Sequence, residues 1–135
     1  MDRVTGGCLC GAVRIEARGR PDRVGLCHCL DCRKHSGAPF YAGAVFPVSA
    51  VTVTGETRDW QGRHFCPTCG GSVFGRTGDE VEVTLGTLDA PDLFAPSYEL
   101  WCRRRESWLP DLPGCRRFDR DRPEDTRPPA GPPGA

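Results

Sequence analysis

The sequence has little net charge and very little lysine. Its 135 residues include 18 basic and 18 acidic side chains, which cancel at pH 7, and Lys34 is the only lysine. This balance excludes the uniformly basic surface that many nucleic-acid-binding proteins carry, so we predict no nucleic-acid partner. The arginine runs at 103–105 and 116–117 leave a local anion-binding patch as an alternative.

Long apolar runs are also missing. No stretch approaches the roughly 20 consecutive apolar residues that a membrane-spanning helix needs, so we predict no membrane association. The opening residues, MDRVTGGCLC, lack a charged region followed by an apolar one, the pattern of a secretory signal. We therefore predict a cytoplasmic protein. The oligomeric state stays open.

Cysteine, by contrast, is abundant. The chain has nine cysteines, and an odd number without a secretory signal argues against a disulfide scaffold. In a reducing compartment, clustered cysteines more often bind a metal or take part in catalysis. The 17 glycines, 13 prolines and 38% hydrophobic content predict many turns and a thin core, which a metal ion would stabilise.

The hydrophobic pattern favours short strands. Val13, Ile15 and Ala17 alternate with polar residues, and 80–88 shows the clearest alternation in the chain. Further strands are predicted at 24–29, 40–46, 50–56, on both sides of a turn within 63–75, and at 97–103, with one helical turn at 31–35. We predict a mainly β domain over 1–118 and a disordered, proline-rich tail over 119–135.

Seven of the nine cysteines form three clusters. These are Cys8 and Cys10; Cys27, Cys29 and Cys32; and Cys66 and Cys69. On an extended segment, C-x-C directs two sulfurs to the same side, and a C-x-x-C turn does so by reversing the chain. The simplest pairing joins the first and third clusters into a four-thiolate zinc site, which is closed to substrate and contributes to folding.

The middle cluster then has three thiolates. Three protein ligands with an open fourth position are typical of catalytic zinc. Two alternatives remain from the spacing: metal-free reactive thiols, or a site closed by a fourth ligand. The candidates for that ligand are His28, His35, Cys102 and Cys115.

Four segments in order resemble one known family. They are GGCLCGAVRIEA (6–17), CHCLDCRKHSGAPF (27–40), HFCPTCGGSVF (64–74) and VTLGTLDAP (83–91). The chain is similar to the glutathione-dependent formaldehyde-activating enzymes, a family that includes the centromere protein V-like group. The resemblance covers about residues 5 to 120.

The resemblance implies a β-tent fold, in which short antiparallel sheets surround a structural zinc. It implies two zinc ions per chain. The matching structural ligands are Cys8, Cys10, Cys66 and Cys69, and the matching ligands of the catalytic zinc are Cys27, Cys29 and Cys32. The family activity is a carbon–sulfur lyase reaction, in which glutathione and formaldehyde condense to S-hydroxymethylglutathione. Three thiolates weaken the Lewis acidity of a zinc ion, which favours delivery of a thiolate over activation of a carbonyl.

Two features bear on the substrate. Arg33 and Lys34 follow the middle cluster and are candidates to bind the carboxylates of a glutathione-type ligand. Relatives often carry a histidine in the segment that matches 96–101, whereas this sequence has Glu99. If that histidine helps to bind substrate, the activity of this chain is altered.

Other functions are also compatible with the sequence. The chain could be a non-catalytic zinc module that binds a partner and uses both metals structurally. A redox enzyme similar to the methionine-R-sulfoxide reductases would need a reactive cysteine outside the zinc sites. Only Cys102 and Cys115 remain for that role, and neither lies in a context that favours reactivity.

Overall fold

A computed structural model describes residues 3–123 of the chain. The described part contains eleven short strands, one α-helix and three single-turn 3₁₀ helices. The strands are β1 (Arg3–Gly7), β2 (Arg14–Arg18), β3 (Arg23–Cys27), β4 (Tyr41–Pro47), β5 (Val51–Thr54), β6 (Arg58–Trp60), β7 (Arg63–Phe65), β8 (Ser72–Thr77), β9 (Glu80–Thr84), β10 (Tyr98–Leu100) and β11 (Arg116–Arg117). The helix α1 spans Leu30–Ser36, and the 3₁₀ helices span Val48–Ala50, Leu85–Thr87 and Cys102–Arg104.

The strands form two sheets. A three-stranded sheet has the order β1-β2-β5, and an eight-stranded sheet has the order β11-β10-β3-β4-β9-β8-β7-β6. The mainly β prediction is confirmed. The sheets are not purely antiparallel as expected, because β10 pairs in parallel with both β3 and β11. A long connection after β9 returns the chain to the outer edge of β3, where β10 runs parallel to β3 with Tyr98 opposite Gly25.

The alternation read from the sequence corresponds to burial. Val13, Ile15 and Ala17 are all buried, while Arg14 and Arg18 are exposed. The segment 80–88 is only partly extended, because β9 ends at Thr84 and Leu85–Thr87 forms a 3₁₀ turn. Strands β1, β6 and β11 were not predicted. They have two to five residues each, too few for a hydrophobic period to stand out.

The two faces of the eight-stranded sheet carry different side chains. Alternate residues such as Ala44 and Phe46 pack on one face with Val81 and Val83, in the larger apolar core. That core also contains Cys8 and Cys66. The opposite face holds a smaller cluster made of Cys27, Cys29, Cys32, Tyr41, Tyr98 and Leu100. The two groups of cysteines therefore lie in separate cores.

The helix α1 lies against the second of these faces. Cys29 caps its N-terminus, because the Cys29 sulfur accepts a hydrogen bond from the backbone N–H of Cys32. The helix ends at Gly37, whose backbone is left-handed and whose N–H donates to the carbonyl of Arg33. The predicted helical turn at 31–35 is thus part of a slightly longer helix.

The described C-terminal residues pack on the domain. The backbone N–H of Trp101 donates to the carbonyl of Arg120, and the Trp101 indole donates to Asp121. The guanidinium of Arg122 lies over the ring of Tyr98, so residues 120–122, which the sequence analysis assigned to the tail, contact the domain. The rest of the predicted tail, 124–135, lies outside the described residues. Within residues 3–123, no helix has the length and apolar character to cross a membrane.

Candidate metal centres

The first centre joins two distant turns through four cysteines. The sulfurs of Cys8, Cys10, Cys66 and Cys69 all lie within 4.8 Å of one another. The sulfur of Cys10 is 3.7 Å from that of Cys8 and 3.7 Å from that of Cys66. Four thiolates placed tetrahedrally around a metal at about 2.3 Å have sulfurs about 3.8 Å apart. The observed spacing therefore fits one tetrahedral metal ion.

Backbone N–H groups surround these sulfurs. Val13 donates to the sulfur of Cys8, and Thr68 and Cys69 donate to that of Cys66. Gly70 has a φ of 77°, which closes the C-x-x-C turn in a conformation that side chains other than glycine adopt with strain. Such hydrogen bonds stabilise thiolates and hold them in position for a metal.

One local detail differs from the prediction. Cys8 and Cys10 do not lie on an extended strand, because β1 ends at Gly7 and the chain turns at Leu9 and Cys10. The N–H of Gly11 donates to the carbonyl of Cys8, which closes this turn. Both pairs of this centre therefore reach the metal position from tight turns.

The second centre is formed by one short stretch of chain. The sulfurs of Cys27, Cys29 and Cys32 lie within 4.8 Å of one another, and all three residues are buried. Cys27 ends β3, Cys29 caps α1 and Cys32 lies in the first turn of α1. The end of a strand and the start of a helix thus converge on one point, which could hold a metal ion.

None of the four candidate fourth ligands joins this cluster in the described part of the chain. His28 turns away, and its Nε2 is 2.8 Å from the Oε1 of Glu99. His35 Nδ1 is 3.3 Å from the hydroxyl of Ser72. The thiols of Cys102 and Cys115 donate to backbone carbonyls of Glu99 and Pro96. Within residues 3–123, no further His, Cys, Asp or Glu has a ligand atom that groups with all three sulfurs within 4.8 Å.

The three thiols also change each other's acidity. Hydrogen bonds from Cys27 and then Cys32 lower the pKa of Cys29. The neighbouring Cys29 in turn raises the pKa of Cys27, and Cys27 and Cys29 raise that of Cys32. Hydrogen bonds within the cluster therefore favour a negative charge on Cys29 over one on Cys27 or Cys32. A cation at the centre of the cluster would neutralise this charge and allow the other thiols to ionise.

A buried charged network lies next to this cluster. Glu99 is fully buried, and its Oε1 accepts hydrogen bonds of 2.8 Å from both His28 and Arg105. Its Oε2 is 3.4 Å from Nε of Arg117. Burial alone raises the pKa of Glu99, but the hydrogen bonds from Arg105 and His28 outweigh it and the pKa is lowered. Glu99 is therefore an ionised group that holds the loop between Cys27 and Cys29 through His28.

The network itself is a poor metal site, although His28, Glu99 and Cys102 have ligand atoms within 4.8 Å of one another. Arg105 and Arg117 already donate to both oxygens of Glu99, and their positive charges oppose a cation there. Arg103 pairs with Asp119. The arginine runs therefore serve largely as internal ion pairs rather than as a continuous anion-binding patch.

The structure separates the two predicted substrate contacts. Arg33 donates to Glu106 at 2.6 Å and to the carbonyl of Pro39, so its charge is already compensated. Lys34 lines a cleft on the other side of α1. The three-cysteine cluster has its own cleft of about 240 Å³, lined by Cys29, Leu30, Asp31, Trp101 and Arg104. Trp101 and Arg104 were missed as site residues, because only the return of the chain after β10 brings them to Cys29.

Comparisons with known proteins identify the family of the chain and support its fold. The family model described as glutathione-dependent formaldehyde-activating enzyme matches residues 3–104, and the chain belongs to that family. No curated protein matches the chain. A crystal structure of a Rhodobacter sphaeroides protein from a structural genomics programme is similar, with a TM-score of 0.52 and 22% sequence identity. The match covers 66% of this chain and 91% of that one, and it supports the fold alone.

Proposed function

We propose that this protein is a zinc-dependent, carbon–sulfur lyase-like enzyme that joins a glutathione-type thiol to a small aldehyde, as in S-hydroxymethylglutathione synthesis. The observation that carries the proposal is the convergence of three buried cysteine sulfurs within 4.8 Å of one another, a group that contains only these three residues in the part of the chain that the structure describes. It adjoins a cleft through Cys29. Membership of the family supports the same chemistry.

The two centres have different roles in this proposal. Cys8, Cys10, Cys66 and Cys69 would hold a structural zinc that fixes the β-tent architecture. Cys27, Cys29 and Cys32 would hold a second zinc. When bound there, that zinc supplies an open position at which a thiol is held in its thiolate form.

The chain's own residues then orient the reaction. The thiol enters past Trp101 and Arg104, while the buried contact between Glu99 and His28 keeps the ligand loop in place. The new bond forms between the glutathione sulfur and the aldehyde carbon. The thiol proton passes to solvent in the cleft, and solvent protonates the former carbonyl oxygen, so atoms and charge balance.

The direct test is the rate of adduct formation with purified, metal-loaded protein. Exchange NMR of glutathione with formaldehyde measures this rate against the spontaneous reaction. We expect acceleration by the wild type and by Cys115→Ser, because Cys115 belongs to neither cluster. We expect none with Cys27→Ser, which removes one ligand of the three-cysteine centre.

Metal content separates this proposal from the alternative. Elemental analysis should give two zinc ions per chain, with one made labile by glutathione. If the wild type gives no acceleration and glutathione leaves both ions untouched, the protein is better described as a non-catalytic zinc module.

A further inference from the structure

A second cleft lies beside the three-cysteine cluster, on the other side of α1. It has a volume of about 320 Å³ and is lined by Asp31, Lys34, His35, Trp60, Gln61 and Arg63. One wall is a single face of the helix, because Asp31, Lys34 and His35 are three and four residues apart. The other wall is the hairpin formed by β6 and β7.

The hairpin presents its residues rigidly. Its two-residue loop, Gln61 and Gly62, has φ values of 51° and 85°, as in the turns that match the twist of paired strands. Trp60 and Arg63 are directly paired across this loop. The carbonyl of Gly62 also accepts a hydrogen bond from Arg76 on β8, which ties the hairpin to the sheet.

Arg63 is the unusual residue of this cleft. Its side chain is only 16% exposed, yet the carboxylate with which it pairs, Asp31, is 4.0 Å away and is itself 76% exposed. Its Nε is buried and has no hydrogen-bond partner among residues 3–123. Buried donors are nearly always satisfied, and a guanidinium matches a carboxylate in geometry. The long pairing with the exposed Asp31 compensates the guanidinium charge of Arg63 only partly, so this side chain can bind an anion that enters the cleft.

The other side chains of the cleft leave it with a net positive charge. His35 packs against Tyr41, and burial followed by the charge of Arg63 lowers its pKa, so it adds no positive charge at neutral pH. Lys34 and Arg63 then outweigh Asp31, and the cleft is cationic. The indole of Trp60 is 69% exposed and offers an apolar surface beside these charges.

The two clefts adjoin each other. Asp31 lines both the cleft of Cys29 and the cleft of Arg63. In an extended peptide, a carboxylate one residue beyond a cysteine lies about 7 Å from the sulfur. Because the shared residue Asp31 lies only two positions after Cys29, a short peptide thiol whose sulfur is at the three-cysteine cluster can extend its C-terminal carboxylate toward the neighbouring cleft.

We propose that this second cleft binds the C-terminal carboxylate of the thiol substrate, with Arg63 and Lys34 as its cationic partners and Trp60 as its apolar wall. The proposal rests on the function proposed above and assigns the residues that bind this end of the substrate. Arg33, which sequence placed in this role, is already paired with Glu106.

Binding to the metal-loaded protein tests this proposal. Calorimetric titration with S-methylglutathione measures the carboxylate contacts separately from metal binding, because its sulfur cannot become a thiolate. We expect Arg63→Gln to weaken binding about tenfold or more, since a hydrogen bond to a charged group is lost. The matched control is Arg58→Gln on the same hairpin, which lies outside the cleft and should leave binding unchanged.

A ligand series on the wild type avoids any folding defect of the variant. Glutathione with its glycyl carboxylate converted to an amide should bind the wild type about as weakly as glutathione binds Arg63→Gln. Equal affinity of the amide and of glutathione for the wild type would overturn the proposal. Equal affinity of both arginine variants for S-methylglutathione would overturn it as well.

Cobalt substitution separates failure of this proposal from failure of the proposed function. Glutathione that reaches the three-cysteine centre changes the cobalt–thiolate absorption. If this absorption change occurs with equal affinity in the wild type, Arg63→Gln and Arg58→Gln, the carboxylate site is contradicted and the proposed function is not. No change in the wild type contradicts the proposed function, and the titration with S-methylglutathione still decides whether the carboxylate site exists.

Discussion

The two cysteine centres differ in how far apart along the chain their ligands lie. Cys10 and Cys66 are separated by 56 positions, so the four-cysteine centre joins the first turn of the chain to a turn between β7 and β8. The three-cysteine centre uses only residues 27–32. A metal that links distant segments removes much conformational freedom from the unfolded chain, whereas a local one removes little. A metal in the four-cysteine centre would therefore contribute more to folding stability than one in the three-cysteine centre.

The two cysteine centres also differ in the polarity of the side chains around them. Cys8 and Cys66 pack among apolar side chains such as Val81 and Val83. The face with Cys27 and Tyr41 also carries the buried Arg23–Glu80 ion pair and the buried carboxyl of Glu82. Buried ionisable groups are costly to fold around and are concentrated at functional sites. The four predictions below test this contrast, beginning with the largest expected effect.

Cys66→Ser should have the largest effect on stability. Cys66 is fully buried, and its loss opens the four-thiolate centre and releases the connection between the two turns. Because a structural zinc supplies on the order of 10 kcal/mol of folding free energy, we expect the variant to be largely unfolded. Circular dichroism with guanidinium titration measures this. Cys115→Ser is the control and should retain the wild-type fold, and a stable Cys66→Ser protein would contradict the structural role.

Glu99→Ala should destabilise the protein by about 3 to 5 kcal/mol, because it leaves the buried His28 and Arg105 without their shared partner. Chemical unfolding measures the loss. Glu106→Ala is the comparison, because the Glu106–Arg33 pair is partly exposed and its loss should cost about 1 kcal/mol or less.

Glu99→Ala should also change the metal affinities of the two cysteine centres to different extents. Because His28 lies between two ligands of the three-cysteine centre, Glu99→Ala should weaken metal binding there and leave the four-cysteine centre unchanged. Competition with a chelator measures the two affinities. Equal weakening at both centres would mean that Glu99 acts on the whole fold rather than on one ligand loop.

Glu82→Gln should change how stability depends on pH. Burial raises the pKa of Glu82 to about 8, and the nearby Arg23 opposes this only partly. The folded protein therefore holds a proton that the unfolded chain loses near pH 4.5, so the contribution of Glu82 to stability falls as pH rises from about 4.5 to about 8. The total is on the order of 5 kcal/mol at most, from about 1.4 kcal/mol per pKa unit.

The Gln variant keeps the shape of the neutral acid without its proton. Its free energy of unfolding should equal that of the wild type below about pH 4, where the carboxyl is protonated in both states, and exceed it above pH 8. Paired denaturation curves of the two metal-loaded proteins cancel the titration of all other groups. Parallel curves across this range would show that Glu82 is ionised in the folded protein.

Cys27→Ser should have the smallest effect on folding. We expect one zinc ion per chain instead of two, an intact circular dichroism spectrum and a stability change of about 1 to 2 kcal/mol, because a local metal site closes only a short loop. Elemental analysis and thermal unfolding measure these outcomes. Unfolding as severe as that of Cys66→Ser would remove the contrast between the centres and favour the non-catalytic zinc module.

Much of this protein was predictable from local patterns. Alternation placed β2 and β9 within a few residues, because a strand with polar and apolar faces has a period of two, and a continuous apolar run placed β4. The spacing of the cysteines predicted which sulfurs within each cluster lie together, because each cluster lies in a turn or at the boundary of a strand and a helix. Those geometries depend on only a few neighbouring residues.

Other features depended on tertiary structure. The parallel pairing of β10 with β3 brings Glu99 to His28 and Trp101 to Cys29, although 71 or more positions separate the partners. The cleft of Arg63 likewise forms only because α1 and the β6–β7 hairpin, which are distant along the chain, lie next to each other in the fold. Sequence by itself determined the local ligand sets and the mainly β class. Only the folded chain decided which charges are buried and paired, because burial and pairing depend on segments that meet only after the sheet forms.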